Sequence, residues 1–309
     1  MSLHTRFILL LVALTAASIF SLVRLLELSF PAADLVKPSL IVVGLGLFAE
    51  FYRRRQNEQF VTIIAALMQI VAYSTCFTTL MYAVCALNRP LVDAQMMRFD
   101  AACGIHLPSI VEWAKQHPAM QRVLSFAYST MLPQTALIIA VLGFANQRRE
   151  LQGFVRQFLL SSLVVLAAFA LWPAAGPFVG YDYPPACDQA RYLAHFESLR
   201  SGERTLITWR DAEGLITFPS FHTAWALLLI SAVRRNRWLL APSVLLNLAV
   251  IVSTLTTGWH YFADVCSGVA VAVVAIAASH ALEAVFEQQR VGRLTPFPLR
   301  QPVAATVSR

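Results

Sequence analysis

Residues 261–286 read YFADVCSGVAVAVVAIAASHALEAVF. This run is longer than the roughly 20 apolar residues that a helix needs to cross a bilayer. The rest of the chain has the same character, because 58% of its 309 residues are hydrophobic and only 13% are charged. Average globular proteins carry roughly 25% charged residues. The composition excludes a disordered chain and indicates an integral membrane protein rather than an ordinary soluble domain.

Other apolar stretches of similar length precede this run. The predicted spans are residues 7–26, 35–52, 60–87, 121–146, 154–179, 218–236, 238–257 and 261–286. We therefore predict an all-α integral membrane protein with about eight transmembrane helices.

The basic residues follow the positive-inside rule, by which cytoplasmic loops carry an excess of Lys and Arg. If the N-terminus is cytoplasmic, the inward segments carry a net charge of +9 and the outward segments −2, which together give the formal +7. Both termini are then cytoplasmic. The positive charges occur in short runs between apolar stretches and not on one polar surface, so we expect no nucleic-acid partner.

Two long outward segments are predicted, at residues 88–120 and 180–217. The first contains a short amphipathic helix with Trp113 as an anchor in the membrane interface. Cys103 and Cys187 lie on these two segments, and an oxidising compartment would allow them to pair.

Three further residues near the spans have a structural and a functional interpretation. Tyr128 and Gln134 are polar, and they either line a pocket or form hydrogen bonds between helices. Gly268 is expected to permit close packing of two helices.

Two histidines are expected at the outward ends of neighbouring helices. His222 ends the sequence TFPSFH at 217–222, and His260 lies in GWHYFAD at 258–264. Two helices of about 18–20 residues, at 1.5 Å rise per residue, cover the interval between them by crossing to the inner face and back. Asp264 follows His260 by four residues, a spacing that places both side chains on one helical face. A carboxylate there fixes the tautomer of the imidazole and stabilises the imidazolium.

The residues before His222 are typical of a helix start. Pro219 suits the first turn and Ser220 can cap it, while the exposed amides of that turn can bind an anion. Together these features suggest phosphoryl chemistry, in which one imidazole attacks phosphorus and the other protonates the leaving oxygen. The alternatives are that Asp264 only caps a helix beside an interfacial His260, and that Pro219–Ser220 is only a helix start.

These motifs resemble those of the type 2 phosphatidic acid phosphatase superfamily, which carries Pro-Ser-x-His at a helix start and His-x-x-x-Asp later in the chain. The resemblance implies that His260 forms a phosphohistidine and that Asp264 orients it. It also implies that His222 is the general acid and that Ser220 binds phosphate. Over residues 60–286 it implies a six-helix phosphatase-like membrane domain, preceded by two additional helices in 1–59 and followed by a polar cytoplasmic tail in 287–309.

The departures from the usual motifs point to one branch of the superfamily. Phe221 stands where the family usually has glycine, Thr254 stands where it has arginine, and the Lys-x6-Arg-Pro motif is absent. These features resemble the inositol phosphorylceramide synthase branch, whose members are inositolphosphotransferase-like. Another cation must then bind the phosphate. The candidates on the second outward segment are Arg191, Arg200, Arg204 and Arg210.

The resemblance implies a membrane lipid phosphatase or lipid headgroup phosphotransferase, acting on a phospholipid or sphingolipid. The site is expected on the periplasmic or exterior face of an inner or plasma membrane. No cofactor or metal is expected, since two His and one Asp lack further acidic neighbours. Two alternatives remain open: a non-catalytic lipid-binding or transport protein on the same scaffold, and a redox protein with His222 and His260 as haem ligands.

Overall fold

The computed structural model describes residues 3–208 and 212–294. Over these residues the secondary structure is helical, and the extended pairing is limited to an isolated bridge between Ser29 and Leu206. The helices are α1 (Leu3–Leu25), α2 (Ala32–Arg54), α3 (Glu58–Cys85), α4 (Asp93–Ala102), α5 (Leu107–Gln116), α6 (Pro118–Ser129), α7 (Met131–Phe144), α8 (Arg148–Leu171), α9 (Pro177–Gly180), α10 (Cys187–Arg200), α11 (Phe221–Ala232), α12 (Arg237–Thr256) and α13 (Phe262–Leu294). The predicted all-α class is confirmed.

Six helices of the described chain are long and apolar enough to cross a membrane, namely α1, α2, α3, α8, α12 and α13. The pair α6 and α7 adds a seventh span if it is counted as one helix bent by 45°. The bend lies beside Pro133, which has no amide proton and whose ring would clash with the carbonyl of Ser129 in a continuous helix. These helices make the chain an integral membrane protein and account for seven of the predicted spans.

The remaining predicted span, at 218–236, is shorter in the structure. Helix α11 has only 12 residues, or about 18 Å at 1.5 Å per residue, and a bilayer core is about 30 Å thick. It begins late because Ser220 caps it, with its hydroxyl oxygen accepting the amide proton of Thr223 at 3.2 Å. Helix α11 is therefore shorter than a bilayer core is thick.

Helix α8 lies at the centre of the bundle. It packs against α3, α7, α11 and α13, and side chains such as Leu159 and Val165 are fully buried. Helices α1 and α2 pack on α3, at the outside of this bundle. Large apolar side chains of α2, including Leu40 and Leu47, remain exposed where lipid would surround them.

The basic clusters meet at one end of the bundle. Arg148 pairs with Glu58, Arg149 pairs with Glu283 at 2.6 Å, and Arg235 pairs with Glu150. These pairs join the start of α8 to the start of α3, to α13 and to the turn before α12. His260 lies just before the first residue of α13. At 1.5 Å rise per residue, this end of the helix is about 30 Å from Glu283.

Two predicted peripheral segments also have counterparts. The amphipathic helix on the first outward segment is α5, whose Leu107 and Val111 are buried while Trp113 is 45% exposed. The first residues of the predicted polar tail are helical, because α13 continues to Leu294; residues such as Gln288 and Arg290 favour a helix intrinsically. Residues 295–309 lie outside the described part of the chain.

Candidate active site

His260 lies in the short turn between α12 and α13, and its ring is 3% exposed. Its Nδ1 atom is 2.8 Å from the carbonyl oxygen of Thr217 and 3.3 Å from Oδ2 of Asp264. The carbonyl oxygen of Thr217 can only accept a hydrogen bond, so Nδ1 carries the proton and Nε2 carries the lone pair. Burial lowers the pKa of His260 to about 4, an effect that the hydrogen bond to Thr217 opposes. The arrangement presents a neutral imidazole with a free Nε2.

Asp264 is completely buried and is held by a capping turn. Its Oδ2 atom accepts the amide proton of Tyr261 at 2.8 Å in addition to facing His260. The predicted pairing of His260 with Asp264 is present, but it does not lie on one helical face. His260 precedes the first residue of α13, so the turn at the helix start creates the contact.

His222 lies in the first turn of α11, and its ring centroid is 5.9 Å from that of His260. Ser220 precedes this helix, and its oxygen also faces the Thr223 hydroxyl at 3.1 Å. The amides of Phe221 and His222 belong to the first turn, which has no earlier helical carbonyls to bind. The backbone amide of Ser220 donates to the carbonyl of Asp264 at 3.0 Å. The structure therefore brings together His222, His260, Asp264 and Ser220.

Tyr128 approaches the second histidine from α6. Its hydroxyl is 2.7 Å from Nε2 of His222, and the two rings stack with centroids 4.5 Å apart. Of the two roles left open for Tyr128, the structure places it in the site. Gln134 takes the other role, because it accepts a hydrogen bond from the side chain of Asn247 at 2.9 Å and thereby joins two helices.

Two buried carboxylates of α4 hold the turn that carries His260. Asp100 accepts the amide protons of Phe262 and Ala263 at 3.0 and 2.9 Å, which caps the start of α13. Asp93 accepts the hydroxyl proton of Tyr261 at 2.9 Å. Sequence reasoning assigned neither residue a role. A signal was available, because acidic residues seven positions apart lie on the same face of a helix.

Asp93 also orders the loop that follows α8. Its carboxylate accepts the amide protons of Ala175 and Gly176 at 2.9 Å each. Gly176 has a φ of +121°, a conformation that favours glycine. The hydroxyl of Thr217 donates to the carbonyl of Ala174 at 2.6 Å, so this loop also contacts the segment before α11.

Three of the four predicted phosphate-binding arginines have other partners. Arg191 pairs with Glu213, and Arg200 donates to the carbonyl of Arg89 at 2.7 Å and lies over the ring of Phe196. Nη1 of Arg204 is 3.5 Å from Nδ1 of His195. Arg210 lies outside the described residues. Within the described chain, the recorded hydrogen bonds and ion pairs join no Arg or Lys side chain to the four residues that the site brings together.

The cysteines and other ligand-type side chains add no further centre. Cys103 and Cys187 are exposed and free in the structure, so the pairing considered for them is not formed. Among residues 3–208 and 212–294, no group of three or more His, Cys, Asp or Glu side chains is arranged to hold a metal ion.

Comparison with known proteins identifies the family of the chain. The family model described as the PAP2 superfamily matches residues 94–278, which is more than half of the chain. No curated protein and no solved structure matches the chain. The matched range starts in α4, includes both histidines and Asp264, and ends within α13. The chain therefore belongs to the PAP2 superfamily, the phosphatase superfamily that its His222 and His260 motifs resemble.

Proposed function

We propose that the protein is a lipid phosphatase or lipid headgroup phosphotransferase that works through a phosphohistidine on His260. Membership of the PAP2 superfamily supports a phosphatase-type activity on lipids. The observation that carries the proposal is the environment of His260, whose Nδ1 faces Thr217 and Asp264 and leaves Nε2 as a nucleophile. The second imidazole, His222, lies close enough to serve the leaving group.

In the first step Nε2 of His260 attacks the phosphorus of the substrate. The P–N bond forms, the P–O bond to the leaving group breaks, and His222 donates a proton to the leaving oxygen. Asp264 stabilises the positive charge that develops on the His260 ring. The amides of the first turn of α11 and the Ser220 hydroxyl are suited to hold the phosphate oxygens.

In the second step water or a lipid hydroxyl attacks the same phosphorus and gives its proton to His222. The P–N bond breaks and His260 returns to its neutral form. Water produces free phosphate, whereas a lipid hydroxyl produces a new phospholipid. The similarity of the Phe221 and Thr254 positions to the inositolphosphotransferase-like branch favours testing a lipid acceptor as well as water.

The experiment that tests the proposal is a turnover assay with purified protein in mixed micelles. Phosphatidic acid and phosphatidylinositol are supplied with and without ceramide or diacylglycerol, and products are followed by phosphorus NMR. We expect release of phosphate or formation of a new phospholipid, lost in His260→Ala and retained in His106→Ala, which alters an exposed histidine. A folded protein that turns over none of these lipids, or full activity in His260→Ala, would reject the enzyme.

The second candidate, a non-catalytic lipid-binding or transport protein, is favoured because, among residues 3–208 and 212–294, no arginine forms a hydrogen bond or ion pair with the four site residues. It predicts lipid binding without turnover in the same assay. The redox alternative predicts a haem absorption band in the purified protein, and a colourless preparation would remove it.

The cation that binds the phosphate is proposed to be one of Arg191, Arg200, Arg204 and Arg210. Each of the first three would leave its present partner when substrate binds. An Arg→Gln variant of the true ligand should raise KM for the anionic lipid without lowering the unfolding temperature. A variant that lowers the unfolding temperature alone identifies a structural arginine, and four variants with unchanged KM would reject the whole set.

We also propose that the site faces the exterior or periplasm of an inner or plasma membrane, with cytoplasmic termini. In this arrangement residues 60–286 form the phosphatase-like domain and residues 1–59 contribute the two peripheral helices. The positive-inside rule supports it, because the arginine clusters lie at the end of the bundle away from His260.

Labelling of cysteines tests this topology. Exposed Cys103 and Cys187 should react with a membrane-impermeant maleimide in intact cells. In a Cys103→Ser, Cys187→Ser background, Arg55→Cys should react only after lysis, and the reverse pattern would invert the topology.

A further inference from the structure

The two histidines of the site are held by different kinds of groups. His260 has a carboxylate and a carbonyl as neighbours. Among the described residues, the hydrogen bond recorded for the His222 ring is with the hydroxyl of Tyr128, which is 2.7 Å from Nε2 and 3.5 Å from Nδ1. His222, the proton donor of the proposed reaction, therefore contacts a neutral hydroxyl, whereas His260 contacts a carboxylate.

A hydroxyl can form a hydrogen bond with either protonation state of an imidazole, because it both donates and accepts hydrogen bonds. When Nε2 carries a lone pair, the Tyr128 hydroxyl donates to it. When Nε2 carries a proton, the hydroxyl oxygen accepts a hydrogen bond from it. The stacked rings, inclined by 28°, restrain the plane of His222 in both states. The Tyr128 hydroxyl is thus the neighbour that fixes the His222 ring, and it lies closest to Nε2.

We propose that Tyr128 is a positioning residue that acts through His222. Its hydroxyl and its ring fix the position of the imidazole that exchanges a proton with the lipid oxygen. Protonated His222 gives one proton to the leaving oxygen, keeps its other ring proton, and takes a proton back from the incoming nucleophile. This role rests on the proposed function of the site.

The substitution Tyr128→Phe separates the hydrogen bond from the stack, since phenylalanine keeps the ring. Hydrogen bonds to charged donors are roughly twice as strong as neutral ones, so the hydroxyl favours protonated His222. Its loss should move the basic limb of the kcat profile to lower pH by about one unit. We expect kcat to fall about 10- to 100-fold with little change in KM, as for an interaction made mainly in the transition state.

Tyr82→Phe is the matched control. Tyr82 is a buried tyrosine whose hydroxyl also faces a histidine, at 3.4 Å from Nδ1 of His195, and accepts the amide proton of Glu213 at 2.7 Å. Its removal should affect stability and leave the pH limb in place. If the role of Tyr128 were purely structural, Tyr128→Phe and Tyr82→Phe would both change stability and both keep the wild-type pH limb.

Nitrogen NMR titration of histidine-labelled protein in micelles provides a readout that does not need turnover, with His222→Ala assigning the signal. A lower His222 pKa in Tyr128→Phe, together with the shifted kcat limb, supports the proposal. An unchanged His222 pKa and an unchanged limb overturn it, whatever the loss of activity. If the wild type turns over no lipid, the proposed function fails, and the titration still decides whether Tyr128 controls the protonation of His222.

Discussion

The hydroxyl of Tyr261 donates a 2.9 Å hydrogen bond to the carboxylate of Asp93. Tyr261 follows His260 directly, and Asp93 is the first residue of α4. Because the same carboxylate accepts amide protons from the loop after α8, α4 ties three separate parts of the chain together. The position of His260 therefore depends on a short helix outside the set of candidate spans.

Asp93→Asn should lower the free energy of unfolding. The carboxylate of Asp93 has two acceptor oxygens for its three donors, whereas an asparagine has one. Each buried polar group left unpaired costs about 1–3 kcal/mol. Chemical denaturation in detergent measures the change, with exposed Glu203→Gln as the control. In a double-mutant cycle, Asp93→Ala and Tyr261→Phe should be non-additive, since each removes the hydrogen bond between these two residues. Strict additivity would show that the bond contributes nothing.

Asp100→Ala should weaken the start of α13 and lower activity. The carboxylate accepts the amide protons of Phe262 and Ala263, and loss of a helix cap costs about 0.5–2 kcal/mol. Because these amides lie two and three residues after His260, kcat should fall more than KM changes. Asp100→Asn, which retains one acceptor, should lie between the wild type and Asp100→Ala. Equal activity in all three proteins would contradict the role of the cap.

Stability should fall on acidification because of His260. Burial lowers the pKa of His260 to about 4 from the ordinary 6.5. The unfolded ring therefore takes up a proton at a higher pH than the folded ring, and the stability contribution is present above pH 6.5 and lost as the pH falls through about 4. His260→Gln should show a shallower decline of unfolding temperature over this window, and exposed His106→Gln should keep the wild-type slope. A wild-type slope in His260→Gln would contradict the assignment.

Gly268→Ala should disturb the contact between α11 and α13. A Cβ atom at this position would lie 2.5 Å from the carbonyl oxygen of Ser220 and 2.9 Å from Cβ of Thr223, so backbone must move. Overpacking of this kind costs about 1–3 kcal/mol, and here the displaced residue precedes His222. Activity should fall together with the unfolding temperature. Gly44→Ala, in a helix with nothing within 4 Å of the added atom, should be neutral or stabilising.

The sequence alone was sufficient for the membrane class, most of the spans and the likeness of the His222 and His260 motifs to a phosphatase superfamily. These features are read from neighbouring residues. Hydrophobic run length reports a span directly, and the Pro219–Ser220 start and the His260–Asp264 spacing are local patterns. Even so, local reasoning misjudged the length of α11, and the helical spacing used to pair His260 with Asp264 does not apply, because α13 begins two residues after His260.

The three-dimensional packing decided which other side chains complete the site. Tyr128 meets His222 across 94 positions of sequence, and Asp100 reaches the amide of Phe262 across 162. No local pattern specifies such pairs, because they depend on how α4 and α6 lie against the bundle. The partners of Arg191, Arg200 and Arg204 were likewise set by neighbouring loops and helices. The sequence determined which residues could perform the chemistry, and the packing determined which of them meet, since contacts between distant segments exist only once the helices have assembled.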